Sequence, residues 1–189
     1  MTATQTKQVT VEELWELRDE PFRLALIDGE LYRMPGAGGT HGKLQLFVGM
    51  HLGPFVLSHG LGDLYGDTGF KLFPGRDTTL FPDVAFVRAE RVPSPQQEVR
   101  FLELVPDVAI EIDSPTDYPK LRDEKLEAYL SAGTPCVWWL YPRSRSIDVF
   151  RPGREVVRLG PEDILDGGDI LPGFSIRVAD LFSAPVEKT

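Results

Sequence analysis

The chain has 189 residues, 42% of them hydrophobic and 26% charged, with 29 acidic against 20 basic side chains and a formal net charge of −9. That balance excludes a disordered chain, which could not bury a core, and the length suits one domain over residues 1–189. The acidic surplus works against a diffuse attraction to polyanions, so a nucleic-acid function needs a local basic surface, a bound metal ion or a basic partner.

Cys136 is the single cysteine, which excludes an internal disulfide and a cysteine-based zinc site within one chain. Its setting in CVWWLY predicts a buried strand thiol. The opening MTATQTKQVTVEELWE lacks the apolar segment of a signal peptide. No apolar run approaches the roughly 20 residues that span a bilayer. The expected location is cytoplasmic, with no membrane partner.

In chain order, Val11 to Leu17 reads as a short helix capped by Thr10, with Glu13 completing a capping box. Phe22 to Met34 holds two short strands meeting at Asp28-Gly29, a dipeptide suited to a two-residue hairpin turn. PGAGGT is a loop, and Thr40 is the expected cap of a helix running to about Leu57. Its core-facing stripe is His41, Leu44, Gln45, Val48, Leu52 and Phe55. From Leu64 the period changes to strands joined by a Pro-Gly-Arg-Asp turn, and RVPSPQQEVRFLELVP reads as a surface connection.

VAIEID is then a short strand, followed by a capped helix over DSPTDYPKLRDEKLEAYLSAGTP that Gly133 and Pro135 stop. CVWWLYP and SIDVFRP are the next pair of strands. GGDILPGFSIRVADLFSAP reads as a last strand and a closing turn.

Acids inside apolar strands stand out, because a buried carboxylate needs a partner, a metal or solvent access. Asp83 in LFPDVAFV and Glu111 in VAIEID are two such acids. Taken singly, Asp83 also reads as a strand-edge residue after Pro82, and Glu111 as half of a structural ion pair. A third element follows on the next helix, where Leu121, Lys125, Ala128, Tyr129 and Ala132 share one stripe. A lysine on a buried stripe either meets an acid or snorkels its stem to solvent. Two acids with a lysine suit metal-assisted phosphodiester hydrolysis: hard divalent cations take carboxylate oxygens, and an amine offsets charge in the transition state.

FPDVAFV, PDVAIEIDSPTD and DEKLEAYLSAGTPCVWWLYP, with VEELWEL, LIDGELYRMP and ILPGFSIRVADLF, resemble the bacterial Uma-type family of restriction-endonuclease-like proteins with the PD-(D/E)XK nuclease fold. The resemblance covers nearly the whole chain. It implies an α/β, restriction-endonuclease-like fold with a central mixed β-sheet flanked by α-helices. It also implies an Mg²⁺- or Mn²⁺-dependent endonuclease acting on nucleic acid, DNA by analogy with restriction enzymes.

Position by position, the resemblance makes Asp83 the acid of the P-D element and Glu111 the acid of the second strand. Asp113 stands where the family pattern has its lysine, and Lys125 on the helix supplies the amine. Asp113 shares strand parity with Glu111, so it either joins Asp83 and Glu111 as a metal ligand or caps the following turn with Ser114 and Pro115. The chain departs from the family pattern at Leu24-Ala25-Leu26-Ile27-Asp28-Gly29, where members have an acid.

His41 and Gln45 are candidate site-lining residues, although a lone helical histidine is also an ordinary structural residue. Lys43, Lys71, Lys120 and Arg122, with Lys125, are candidate phosphate contacts. A homodimer would suit paired cuts in duplex DNA.

AGGTHGKL is not a P-loop, because Ala37 replaces the first glycine and Leu44 the magnesium-binding hydroxyl. His41, His51 and His59 are too scattered for a zinc hydrolase, and no G-x-S-x-G elbow is present. The rival reading is a catalytically silent nuclease-fold protein acting as a binding or assembly module, which the acidic charge favours. Another small hydrolase or ligand-binding enzyme is a third class.

Overall fold

The computed structural model describes residues 8–114 and 119–185. In chain order the elements are α1 (Val11–Glu16), β1 (Arg23–Ile27), β2 (Glu30–Met34), α2 (Gly39–Ser58), β3 (Gly62–Gly66), β4 (Phe70–Lys71), β5 (Thr79–Leu80) and β6 (Val84–Arg88). A 3₁₀ turn at Ala89–Arg91 follows, then β7 (Val108–Ile112), α3 (Pro119–Ser131), β8 (Cys136–Tyr141), β9 (Ser146–Phe150), β10 (Val157–Leu159), β11 (Ile164–Asp166), β12 (Ser175–Arg177) and α4 (Val178–Leu181).

The central sheet has six strands in the order β10-β9-β8-β7-β6-β3. Its one parallel pair is β7 with β8, joined by α3 as a crossover, so the sheet is mixed. Strand alternation divides the core between two helices. Val84, Phe86, Val108, Ile110, Ile112, Trp138 and Leu140 face α2, which contributes Leu44, Val48, Leu52 and Val56. Ala85, Val87, Ala109, Val137 and Trp139 face α3, which contributes Leu121, Ala128 and Tyr129. The helices of His41 and Lys125 thus clasp the sheet from opposite faces.

A second sheet, β2-β1-β5-β4, extends the α3 side through Ala25, Met34, Phe70, Leu72 and Leu80. Its other face takes α1, where Val11 and Leu14 pack on Leu24 and Leu26. Thr10 and Glu13 form the expected capping box. The β1–β2 hairpin turns at Asp28 (φ 48°) and Gly29 (φ 79°), the left-handed pair that a type I′ turn needs.

Three expectations need correction. Helix α2 is capped at Gly38, not Thr40: Gly38 has extended backbone (φ −72°, ψ 162°) and the Gly42 N–H already bonds to its carbonyl, so Thr40 lies inside the first turn. The connection before β7 is not wholly superficial, because Leu102 is buried and bridges Phe70. The closing segment forms a hairpin with β11 and ends in helix α4, whose Val178 and Leu181 complete the α2-side core. The expected cap for α3 falls partly on residues 115–118, outside the described residues. Among the described residues no helix is long and apolar enough to cross a membrane.

Candidate active site

Strands β6 and β7 pair antiparallel with Val84 opposite Ile110 and Ala85 opposite Ala109. Continuing that register by one residue sets Asp83, just before β6, beside Glu111. Both acids share parity with the alanines that face α3, and both are buried: Asp83 is 0% and Glu111 2% exposed. The apolar strands therefore carry two carboxylates into the core at one place, where each must find donors.

Glu111 finds them on α3. Lys125 Nζ lies 2.7 Å from Oε2, and the Tyr129 hydroxyl donates to Oε1 at 2.8 Å. The spacing from Lys125 to Tyr129 is one helical turn, so both reach the same carboxylate. Lys125 is only 4% exposed, so its stem does not snorkel to solvent.

Asp83 draws its carboxylate donors from β1 and β7. Arg23 Nη2 at the start of β1 donates to Oδ1 at 2.9 Å, and the Ile112 backbone N–H donates to Oδ2 at 2.6 Å. His41 Nε2 sits 3.2 Å from Oδ1 but off the hydrogen-bonding direction, and neither of its ring nitrogens has a hydrogen-bond partner. Gln45 braces this corner by donating from Nε2 to the Asp83 carbonyl (2.9 Å) and to Asp67 Oδ2 (2.7 Å).

The two carboxyls are pushed apart in acidity. Burial raises Glu111, and the Asp83 charge adds to it against the opposing pull of Lys125. Burial would also raise Asp83, but His41, Arg23 and Lys125 outweigh it and hold that carboxyl below the usual range. Burial and the Glu111 carboxylate push the Tyr129 phenol well above its ordinary value, so it stays a donor. Two neighbouring acids of opposite shift, with an amine between solvent and core, form an arrangement typical of catalytic sites.

The family model described as "Putative restriction endonuclease" matches residues 11–179. The chain belongs to this family, Uma2. A solved structure described as "a putative nuclease belonging to DUF820", from Anabaena variabilis ATCC 29413, aligns with a TM-score of 0.81 at 20% identity. The alignment covers 92% of this chain and 97% of that one, and establishes a likeness of fold. No curated protein matches the chain.

In this Uma2 chain the residues singled out from the sequence fall in different places. Asp83, Glu111, Lys125, His41 and Gln45 come together. Asp113 follows β7, its N–H bonded to the Leu140 carbonyl, and lines a neighbouring cavity with His41. The cavity into which Lys125 opens is about 550 Å³, and its lining sets Arg18, Arg23, Arg100 and Lys125 against the acids Asp67 and Glu98.

None of Lys43, Lys71, Lys120 and Arg122 lines that cavity. Lys43 is exposed on α2 near the Phe47 ring, Lys71 lies 3.6 Å from Glu103, and Lys120 lies 3.1 Å from Glu124. Arg122 stacks over Trp139 and Tyr141 and reaches to 3.8 Å from Asp148.

Two site residues carried no role in the sequence reading. Tyr129 lies on the stripe of Lys125, and its one-turn spacing from that lysine is the available signal. Arg23 meets Asp83 across 60 positions of sequence, with no local pattern to announce it. Ala25, at the position where family members have an acid, is fully buried among apolar neighbours of this same face.

Restriction-endonuclease-like folds imply a divalent metal. Among the described residues no group of three or more His, Cys, Asp or Glu side chains could hold a metal ion. The donor set nevertheless fits Mg²⁺, which binds through one or two carboxylates and takes its remaining ligands from water and substrate phosphate. Asp83 and Glu111 supply two hard oxygen donors, and an oxygen engaged by one N–H or O–H keeps a further lone pair.

Proposed function

We propose that the protein is a divalent-metal-dependent endonuclease that hydrolyses phosphodiester bonds of nucleic acid, DNA in particular, with Asp83, Glu111 and Lys125 as the reactive set. The observation that carries this reading is the buried Lys125–Glu111 pair, 2.7 Å apart and next to Asp83. A buried ion pair is a poor device for stability, since two apolar side chains would serve as well or better. Its place beside a second acid and an arginine-walled cavity supports a chemical role.

Asp83 and Glu111 would hold the metal; Asp113, at the end of β7, lines the neighbouring cavity and would join them only by moving toward the ion. Bound there, Mg²⁺ or Mn²⁺ would supply charge neutralisation at the phosphate and a more acidic water. Lys125 opposes the rise that burial imposes on Glu111, and its ammonium, at the wall of the cavity, would offset charge developing on the phosphate. Tyr129 fixes the other oxygen of Glu111. Gln45 holds the backbone of Asp83 in place, and Arg23 balances that carboxylate until substrate arrives.

Lys43 stands free on α2 to meet a phosphate along the strand. Lys71, Lys120 and Arg122 would have to leave their present partners to do so. A twofold dimer would suit paired cuts in duplex DNA, and the cytoplasm would be the compartment of action.

One observation favours the silent binding module: every oxygen of Asp83 and Glu111 already faces a donor of the chain itself. Calorimetric titration of Mg²⁺ and Mn²⁺ into the wild type with oligonucleotide present decides between the two. The nuclease reading expects binding that Asp83→Asn and Glu111→Gln weaken together, with loss of cleavage. No divalent binding under those conditions would leave the module reading standing.

A further inference from the structure

The segment Gly36-Ala37-Gly38-Gly39-Thr40-His41-Gly42 leads into α2 beside the reactive acids without being explained by them. Four of its residues are glycine, yet none has a positive φ. A Cβ built on Gly36, Gly38, Gly39 or Gly42 would meet nothing within 4 Å. Neither backbone conformation nor internal packing therefore calls for glycine, and glycine inside a helix is destabilising by about 1 kcal/mol relative to alanine. What glycine does provide here is clearance for a group that approaches the backbone from outside.

That backbone ends in unused donors. The ladder of α2 begins with the Gly42 N–H, so the N–H groups of Gly39, Thr40 and His41 precede it. Gly38 offers them no side-chain cap, and the first turn carries no acid to complement the helix dipole. A cavity of about 390 Å³ opens over this end, lined among others by Gly38, Gly39, Thr40, His41, Asp113 and Arg143. His41 gives a second, independent sign of a missing ligand. It is 6% exposed and lines this cavity, and while its Nε2 faces Asp83 Oδ1 at 3.2 Å, its Nδ1 is buried without any partner. Arg143, exposed in the β8–β9 turn, makes no ion pair among the described residues and supplies a cation at the same cavity.

We infer that the N-terminus of α2 binds a phosphate group, held by the Gly39, Thr40 and His41 N–H groups, the His41 ring and the Arg143 guanidinium. That the phosphate belongs to the substrate strand, next to the bond being cut, rests on the nuclease reading above; the anion site itself does not. The placement suits that use, because His41 Nε2 is 3.2 Å from Asp83 Oδ1 and so joins this cavity to the reactive acids. Asp113 is the opposing charge: its carboxylate also lines the cavity and weakens binding of an anion.

The test is a metal-free titration with inorganic phosphate, followed through backbone amide resonances, then repeated with a short DNA oligonucleotide. Phosphate should shift the amides of Gly39, Thr40 and His41, and the oligonucleotide should displace it. Gly38→Asp places a carboxylate at the cap, which should leave the melting temperature unchanged or raised while abolishing phosphate binding. Arg143→Gln should weaken binding about tenfold, and Asp113→Asn should tighten it. Phosphate binding without any Mg²⁺-dependent cleavage would uphold the site and remove the nuclease reading. No shift at the three amides at saturating millimolar phosphate would overturn the site, and so would wild-type affinity in Gly38→Asp. Cleavage by Gly38→Asp with unchanged KM would overturn its use by substrate.

Discussion

Lys125 was legible as a candidate because a lysine at helical spacing among Leu121, Ala128 and Tyr129 either meets an acid or snorkels, and the structure shows the first, with Glu111 at 2.7 Å. Asp83 and Glu111 were legible for the same reason in strand periodicity. Arg23 was not, because a half-buried arginine at a strand end has many tolerable environments and its partner lies in another sheet. The contacts make the trio separable by experiment. Lys125→Met should lower turnover by about a hundredfold or more, the scale of losing one placed electrostatic donor. It should also destabilise the fold by less than the roughly 3–5 kcal/mol of a stranded buried charge, because Glu111 can take up a proton. Adding Glu111→Gln to Lys125→Met should then recover stability in urea titrations. Tyr129→Phe should cost about 1–3 kcal/mol by leaving Glu111 Oε1 without its donor.

Among the elements, α2, α3 and the β1–β2 hairpin follow from pattern and turn chemistry. The stripe on α2 is correct at His41, Leu44, Val48 and Leu52, though Val56 rather than Phe55 is its fully buried last residue. Strand order was less legible, since β4 and β5 have two residues each, and the pairing of β5 with β1 and of β4 with β5 is set by tertiary contacts rather than by period. Leu52 is fully buried, at 0% exposure, so Leu52→Ala should cost about 2–5 kcal/mol by calorimetry.

Asp148 ties four elements together: it accepts from Arg158 on β10 (2.6 Å) and Tyr141 on β8 (3.0 Å), and lies 3.8 Å from Arg122 on α3. Burial opposes its charge, but the arginine and tyrosine contacts prevail and lower its pKa. Its stabilisation is therefore present above the unfolded value of about 3.9 and lost as pH falls through the lower folded value. Melting temperatures through that acid range should fall more steeply for wild type than for Asp148→Asn.

At the scale of the molecule, the net charge of −9 and the basic wall of Arg18, Arg23 and Arg100 are compatible because the positive groups are local. The mixed α/β architecture was legible from alternating periods; the location of the basic wall was not, since Arg100 lies far in sequence from Arg18 and Arg23. Nucleic-acid affinity should consequently fall with added salt through few contacts, and Arg18→Ala with Arg100→Ala should flatten that slope in fluorescence titrations.

The most direct test of the central claim is Mg²⁺-dependent cleavage of labelled DNA by wild type and Lys125→Met at matched purity, with oligonucleotide and metal binding measured on the same samples. The account predicts that wild type cleaves, EDTA stops it, and Lys125→Met binds both ligands while cutting at least about a hundredfold more slowly. Undiminished cleavage by Lys125→Met, or a wild type that binds metal and DNA without cutting, would contradict it.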